Sequence, residues 1–198
     1  MEVFGQAMLI GLAVAAPVGP MALIVMERTL SRGQAAGLAF GLGVALADAS
    51  YAALAAVGIS ALRETLLAAS RPLAILGGVL MLYFGLRIAL AKPVTGAARH
   101  EPDSNGKACL TAFGLTLANP PTIVFFAGVF AALGGGSVQG APLVFALGVL
   151  LGSALWWVLL TAALRAVGRF LDARWRQGIN LACGLAVGLF GLKSLLSG

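Results

Sequence analysis

Six long apolar runs constrain this chain more than any other feature, because a helix needs about 20 mostly apolar residues to cross a bilayer. The runs are Phe4–Met26, Gly37–Ile59, Pro72–Leu90, Leu110–Leu133, Ala141–Leu164 and Ile179–Leu196. Apolar residues make up 60% of the chain and charged residues only 10%, whereas soluble domains carry about 25% charged residues. The sequence therefore predicts an all-α integral membrane protein with six transmembrane helices.

The first predicted span is broken near its middle by Ala16-Pro17-Val18-Gly19-Pro20. Each proline removes a backbone donor and clashes with the carbonyl one turn earlier. Within a bilayer such a break is tolerated where the freed backbone groups face protein or a water-filled cavity. Broken helices form substrate sites in many secondary transporters, although a single break can also be a packing kink. The fourth predicted span carries a second break, Ala118-Asn119-Pro120-Pro121, so we favour a cavity-lining role for both breaks.

The second half of the chain repeats the first. Residues 38–51 align with residues 143–156, with half of the positions identical, and residues 84–87 align with residues 190–193. Three helices per repeat is an odd number, so the two repeats must be inverted in the membrane, as in known transporters. Chance similarity between apolar segments is the alternative. The predicted organisation is a first repeat over residues 1–95, a cytoplasmic linker over residues 96–108 and a second repeat over residues 109–198.

The positive charges predict an orientation. Most of the 13 lysines and arginines lie in the first, third and fifth connections, at Arg28, Arg32, Arg87, Lys92, Arg99, Lys107, Arg165, Arg169, Arg174 and Arg176. Cytoplasmic loops carry the excess of Lys and Arg, so both termini should lie outside. These charges flank apolar runs, which indicates contact with anionic lipid headgroups and not with nucleic acid.

Asp48 is the single acid deep inside a predicted span, at the middle of the second. A carboxylate there costs ~2.5–3.5 kcal/mol on insertion scales and is a functional-site hypothesis by default. Three roles stay open: binding a substrate's ammonium group, carrying a proton, or pairing with Arg71 or Arg87. Tyr51 lies on the same helix face and is a candidate hydrogen-bond partner. The aligned residue of the second repeat is Ser153, so the site should be asymmetric.

Several classes of protein are not favoured by the sequence. There is no metal-ligand spacing of His, Cys, Asp or Glu, no P-loop and no nucleophile–base pair. We therefore expect no metal, no cofactor, no catalytic residue and no enzymatic activity. A thiol-electron carrier needs paired cysteines at the breaks, where Cys109 and Cys183 do not lie. A divalent-cation exporter needs clustered acidic or soft ligands. These two classes and a non-transporting scaffold remain as alternatives.

Glycines four residues apart form small-residue faces that allow helices to approach closely. They occur at Gly37 and Gly41, Gly148 and Gly152, and Gly184 and Gly188. Such faces predict close helix packing within the chain, and they make a homodimer reasonable.

These segments together resemble the LysE/RhtB family of small amino-acid exporters, over nearly the whole chain. The similar segments are residues 16–25, 32–37, 43–51 and 83–86, and Leu117-Ala118-Asn119-Pro120 with the Phe125-Phe126 that follows. Two departures stand out. Val18 interrupts the family's Pro-Gly-Pro, and Pro121 stands where a lysine is common. We therefore carry over the class of protein but not the substrate.

The resemblance implies export of amino acids or close derivatives from the cytoplasm, across a bacterial inner membrane and driven by the proton gradient. We expect the substrate to bind near the midplane between the two breaks, with the N-termini of the half-helices facing its carboxylate. Asp48 would take the ammonium group or the coupling proton. The predicted binding residues are Pro17, Gly19, Pro20, Asp48, Tyr51, Asn119, Pro120 and Pro121.

Overall fold

The computed structural model describes residues 2–17, 19–57, 70–90, 104–119, 121–123, 125–126, 129, 142–168 and 173–197. Pro120, the linker residues 96–103 and much of the fourth predicted span lie outside these ranges. The described residues form helices and contain no strand, which confirms the all-α class. The helices are α1 (Glu2–Ala15), α2 (Pro20–Arg32), α3 (Gln34–Val57), α4 (Ser70–Ala89), α5 (Asn105–Leu117), α6 (Pro142–Gly168) and α7 (Ala173–Ser197).

Two of these helices are long and apolar enough to cross a membrane, α3 over Gln34–Ala56 and α6 over Pro142–Val167. The bent pair α1 and α2 makes a third if it counts as one span, and Gly78–Ala89 in α4 is a shorter apolar stretch. Large apolar side chains on several helices are exposed, among them Leu46, Leu151 and Leu189. Apolar surface of this extent indicates a membrane environment.

The first break lies where the prolines predict it. α1 ends at Ala15 and α2 begins at Pro20, and the two helices are bent by 78°. Gly19 between them is extended, with φ −112° and ψ −172°. Pro20 occupies the first position of α2, where a missing N–H costs nothing because that amide has no partner inside the helix.

The second break follows α5, which ends at Leu117. The backbone amides of Thr122 and Ile123 both donate to the carbonyl of Asn119, at 3.0 and 3.1 Å. The chain is helical again from Pro121. A helix therefore stops and restarts within a few residues, as the Asn-Pro-Pro sequence predicts.

α2 continues to Arg32, beyond the predicted end of the first span at Met26. Two hydroxyls in this extension are satisfied within the helix: that of Thr29 donates to the Val25 carbonyl and that of Ser31 to the Glu27 carboxylate, both at 2.7 Å. Gly33, with φ 92°, ends the helix. Apolarity alone placed the boundary too early because it does not register these local hydrogen bonds.

The helices pack around a core to which α2, α3, α4, α5 and α6 contribute Ile24, Phe40, Met81, Leu115 and Trp157. α3 packs against α1, α2, α5 and α6, while α4 packs mainly against α7. α3 and α6 run antiparallel, since Gln34 at the start of α3 accepts a hydrogen bond from Arg165 near the end of α6, at 3.0 Å. α3 and α6 thus form the centre of the described fold.

Candidate functional site

A cavity of about 390 Å³ lies between the two helix breaks. Both sides of the first break, the residues around the second break, and α3, α6 and α7 form its walls. The lining residues are Ala13, Val14, Ala15, Pro17, Gly19, Pro20, Met21, Ala22, Val44, Asp48, Asn119, Pro121, Thr122, Phe125, Trp157 and Phe190. The fold therefore brings most of the predicted binding residues to one place. Tyr51 is the exception among the described ones.

Asp48 is the charged group of this cavity. Its side chain is 2% exposed, and its Oδ2 accepts a hydrogen bond from the Ser153 hydroxyl at 2.8 Å. The Ser153 oxygen in turn accepts a hydrogen bond from the indole N–H of Trp157 at 3.2 Å. Ser153 of α6 thus binds the carboxylate directly, and Trp157 of the same helix holds the Ser153 hydroxyl. One hydrogen bond leaves the carboxylate acceptor capacity for a ligand.

Arginine does not hold Asp48 in the described part of the chain. The guanidinium of Arg87 lies 5.9 Å from the centre of the Tyr83 ring and donates to the Tyr83 hydroxyl at 3.4 Å. The side chain of Arg71 is outside the described residues. The observed partner of Asp48 is the neutral hydroxyl of Ser153. The sequence had kept a cationic partner, Arg71 or Arg87, as one of the alternatives.

Tyr51 binds elsewhere than expected. Its hydroxyl donates to the carbonyl of Leu117 at 2.6 Å, and its ring stacks on Phe126 at 5.6 Å between centroids. The predicted bond from Tyr51 to Asp48 is therefore replaced by one to the end of α5. The physical reason is the break itself, because the last carbonyls of a helix lack intrahelical donors. Tyr51 fastens α3 to the second break and supports the cavity from outside it.

Asn119 lies at the second break with 5% of its surface exposed. Its side-chain amide donates to the Thr122 hydroxyl at 2.8 Å. Its side-chain oxygen Oδ1 is buried and has no hydrogen-bond partner among the described residues. A buried acceptor without a partner costs about 1–3 kcal/mol, so a ligand donor that reaches this oxygen would offset that cost.

The N-terminus of α2 borders the cavity through Gly19, Pro20 and Met21. Gly19 precedes the helix and has no side chain to accept from the first amides. The first amides of a helix have no partners within it, and they carry the positive end of the helix dipole. The cavity therefore combines a carboxylate in α3 with an uncapped positive helix end.

Sequence reasoning missed Ser153 and Trp157 as site residues. Ser153 is the residue that aligns with Asp48 in the repeat, so the alignment contained the signal that the two positions are related. Trp157 lies one helical turn after Ser153, which places both side chains on one face. Thr122 and Phe125 also line the cavity. Both come soon after the second break in the sequence, so the position of that break was the signal that could have predicted them.

The cysteines lie apart from this site. Cys109 is on α5 and Cys183 is on α7, both are free, and neither lines the cavity. Within the described ranges no group of three or more His, Cys, Asp or Glu side chains is placed to hold a metal ion.

Comparison with known proteins gives consistent relatives. The chain is 30% identical over 187 residues to "Uncharacterized membrane protein YahN" of Escherichia coli (strain K12), covering 91% of this chain and 83% of that protein. It is 22% identical over 197 residues to "Putative amino acid efflux protein YcgF" of Bacillus subtilis (strain 168), covering 96% and 94%. No solved structure matches the chain.

The family described as LysE type translocator matches residues 12–198. That match includes both helix breaks, Asp48 and every helix from α2 to α7. Members of this family are transporters and not enzymes. A match over nearly the full length, on a chain of apolar helices with a cavity at its two breaks, shows that this chain belongs to the LysE type translocator family of membrane transporters.

Proposed function

We propose that this protein exports amino acids or close derivatives from the cytoplasm by proton antiport, in the inner membrane of a bacterium. The observation that carries the proposal is the cavity between the two helix breaks with the Asp48 carboxylate in its wall. Family membership and the relative named for amino acid efflux support the same class of substrate.

The site suits a zwitterion. The substrate's ammonium group binds at Asp48, which is held by Ser153 at 2.8 Å. Its carboxylate binds at the N-terminus of α2, where backbone amides without partners favour an anion. Pro17, Gly19, Pro20 and Pro121 shape the cavity, and Pro120 is proposed with them from the sequence. Tyr51 acts indirectly, by holding α3 to the second break.

The coupling step follows from the burial of Asp48. A buried carboxylate is far costlier charged than neutral unless a cation or donor compensates it. Asp48 therefore holds either the substrate's ammonium group or a proton in turn. Exchange of one for the other on opposite sides of the membrane is antiport.

We also propose that the chain is a pair of inverted three-helix repeats with six spans. Two small-residue contacts support this. Gly43 of α3 packs against Ala112 of α5, and Gly148 of α6 packs against Ala7 of α1. Gly43 aligns with Gly148 in the repeat, and Ala7 and Ala112 are separated by the same number of residues as that pair. A pair of equivalent contacts of this kind is what a pseudo-two-fold axis between the two halves predicts.

The contacts between α4 and α7 also correspond between the two halves of the chain. Gly78 contacts Gly191, and Gly85 contacts Gly184. In the repeat alignment Gly78 corresponds to Gly184 and Gly85 to Gly191, so exchanging the two halves converts one contact into the other. The two helices also run antiparallel, as inverted repeats require. Residues 1–95 and 109–198 are the proposed repeats, joined by a linker at residues 96–108 on the cytoplasmic side, with both termini outside.

The test is exchange of labelled amino acids by the purified protein in proteoliposomes, with and without an imposed proton gradient. The wild-type protein should exchange amino acids, and an imposed proton gradient should drive their accumulation on one side of the membrane. Asp48→Asn should abolish gradient-driven transport, because the isosteric amide keeps a hydrogen bond to Ser153 but carries no charge and takes no proton. Ser50→Ala is the matched control, since the Ser50 hydroxyl donates to the Leu46 carbonyl inside α3 and not to the site.

Unchanged gradient-driven transport by Asp48→Asn would overturn the coupling role. Absence of amino acid exchange by folded wild-type protein would overturn the exporter itself, and would favour the cation-exporter or scaffold alternatives.

A further inference from the structure

The cavity between the breaks carries little charge. Asp48 is the single ionisable side chain among its described lining residues, and no Lys, Arg or His is among them. Most of the remaining wall is apolar, with Val44 on α3, Phe125 after the second break, Trp157 on α6 and Phe190 on α7. Among the described lining side chains one negative charge therefore faces neutral groups, and the positive end of the α2 dipole is the other polar feature of the cavity.

Two acceptors in this wall suit one cationic donor. Asp48 uses Oδ2 to accept from Ser153, and the rest of its acceptor capacity remains for a ligand. The Oδ1 of Asn119 is buried and has no partner in the part of the chain that the structure describes, while its Nδ2 donates to the Thr122 hydroxyl. A primary ammonium group has three N–H donors and no acceptor. Because Asp48 and Asn119 line the same cavity, an ammonium group entering it has enough donors for both the carboxylate and the amide oxygen.

Once the ammonium group is bound at Asp48 and the substrate's carboxylate at the N-terminus of α2, the described lining residues offer no partner for a charged side chain. A basic side chain would bring a second cation to a wall with no second carboxylate among the described residues. An acidic side chain would enter the same space with no cation to meet it. An isolated charge in an apolar site is heavily penalised. An apolar side chain, in contrast, is stabilised by the aromatic rings of Phe125 and Trp157.

From these contacts, and resting on the proposed function, we infer that the substrates are neutral amino acids with apolar side chains, whose ammonium group binds Asp48 and Asn119 together. Basic and acidic amino acids are excluded. The volume of about 390 Å³ lies toward the small end of the ~300–1,000 Å³ that ligand pockets occupy. It suits a single amino acid better than a peptide.

The first experiment is counterflow in proteoliposomes loaded with unlabelled leucine. Labelled leucine, valine and methionine should exchange, while lysine, arginine and glutamate should exchange on the order of 100-fold less, as expected for a charge left unpaired inside the membrane. Asn119→Ala should raise the KM for leucine, because one of the two ammonium acceptors is lost.

The second experiment converts the specificity. Val44 lies one turn before Asp48 on α3, so Val44→Asp places a second carboxylate on the same cavity wall. This variant should gain lysine exchange and lose leucine exchange. Val44→Asn is the matched control, because asparagine has the shape of aspartate without its charge. It should gain no lysine exchange.

The outcomes separate this inference from the proposed function. Lysine, arginine or glutamate exchanged by wild type as well as leucine would overturn the substrate class and leave the exporter intact. Equal lysine exchange by Val44→Asp and Val44→Asn would show that charge in this cavity does not select the substrate. Exchange of no amino acid by folded protein would overturn both proposals.

Discussion

The Ser153 hydroxyl has one proton to donate, and it donates that proton to Asp48. The indole N–H of Trp157 donates to the same oxygen, which fixes the direction of the chain of hydrogen bonds. The carboxylate is therefore oriented from the α6 side while its other face borders the cavity. Ser153 is a positioning residue in this arrangement, since it does not itself line the cavity.

Ser153→Ala should raise the KM for the transported amino acid by about tenfold or more, since a hydrogen bond to a charged group contributes ~1.5–3 kcal/mol. The maximal rate should change less, because the charge of Asp48 is still present. Concentration dependence of counterflow measures both quantities, with Ser50→Ala as the control. An unaltered KM in Ser153→Ala would show that the observed bond does not orient the carboxylate for binding.

Tyr51→Phe removes the hydroxyl that donates to Leu117 at 2.6 Å and keeps the ring that stacks on Phe126. The free energy of unfolding should fall by about 1–3 kcal/mol, because a carbonyl at the end of α5 is left without a partner. Thermal unfolding in detergent measures this. Tyr51→Leu, which also removes the stacking, should be less stable than Tyr51→Phe; equal stabilities of both variants and wild type would contradict the role given to Tyr51.

At the scale of the elements, close approach of helices depends on individual glycines. A Cβ on Gly43 would meet the Cys109 carbonyl and the Ala112 side chain of α5. Gly114, on α5 itself, has nothing within 4 Å of that position. Substitution of these two glycines by alanine should therefore change the stability in opposite directions, although both are glycines within helices.

Gly43→Ala should lower the stability by about 1–3 kcal/mol, the usual cost of inserting a methyl group into a packed contact. Gly114→Ala should raise it by roughly 0.5–1 kcal/mol, because alanine is the better helix former where space is open. Thermal unfolding of both variants gives the comparison. Stabilisation by Gly43→Ala would mean that α3 and α5 do not approach as closely as the structure has them.

For the whole molecule, the proposed orientation places the linker inside the cell and the C-terminus outside. The natural cysteines are first replaced by alanine, and this variant should retain exchange, since neither Cys109 nor Cys183 lines the cavity. Loss of exchange on their replacement, in folded protein, would favour the thiol-electron alternative. The same background then serves to map the two sides of the membrane.

In that background, His100→Cys should resist a membrane-impermeant thiol reagent in intact cells and react in inverted vesicles, because the third connection carries Lys92, Arg99 and Lys107 and should be cytoplasmic. Ser197→Cys should show the reverse. Both sites reacting from the same side would exclude an odd number of spans between them, and with it the inverted three-helix repeat.

Much of this protein follows from the sequence alone. The membrane class follows because 60% apolar residues cannot be buried in one small soluble core. The positions of the breaks follow because proline and glycine act on their own backbone. The candidate site follows in outline because Asp48 is the one acid within a predicted span, and both breaks and Asp48 do meet at a single cavity.

Only the tertiary structure decided which residues form hydrogen bonds with Tyr51 and Asp48. Helical periodicity gives the face on which a side chain lies, but it does not say which helix packs there. It placed Tyr51 beside Asp48, whereas the Leu117 carbonyl, freed by the second break, binds Tyr51. It likewise left the partner of Asp48 open until the packing of α3 against α6 brought Ser153 to 2.8 Å. These contacts join residues far apart in the chain, so no local pattern encodes them.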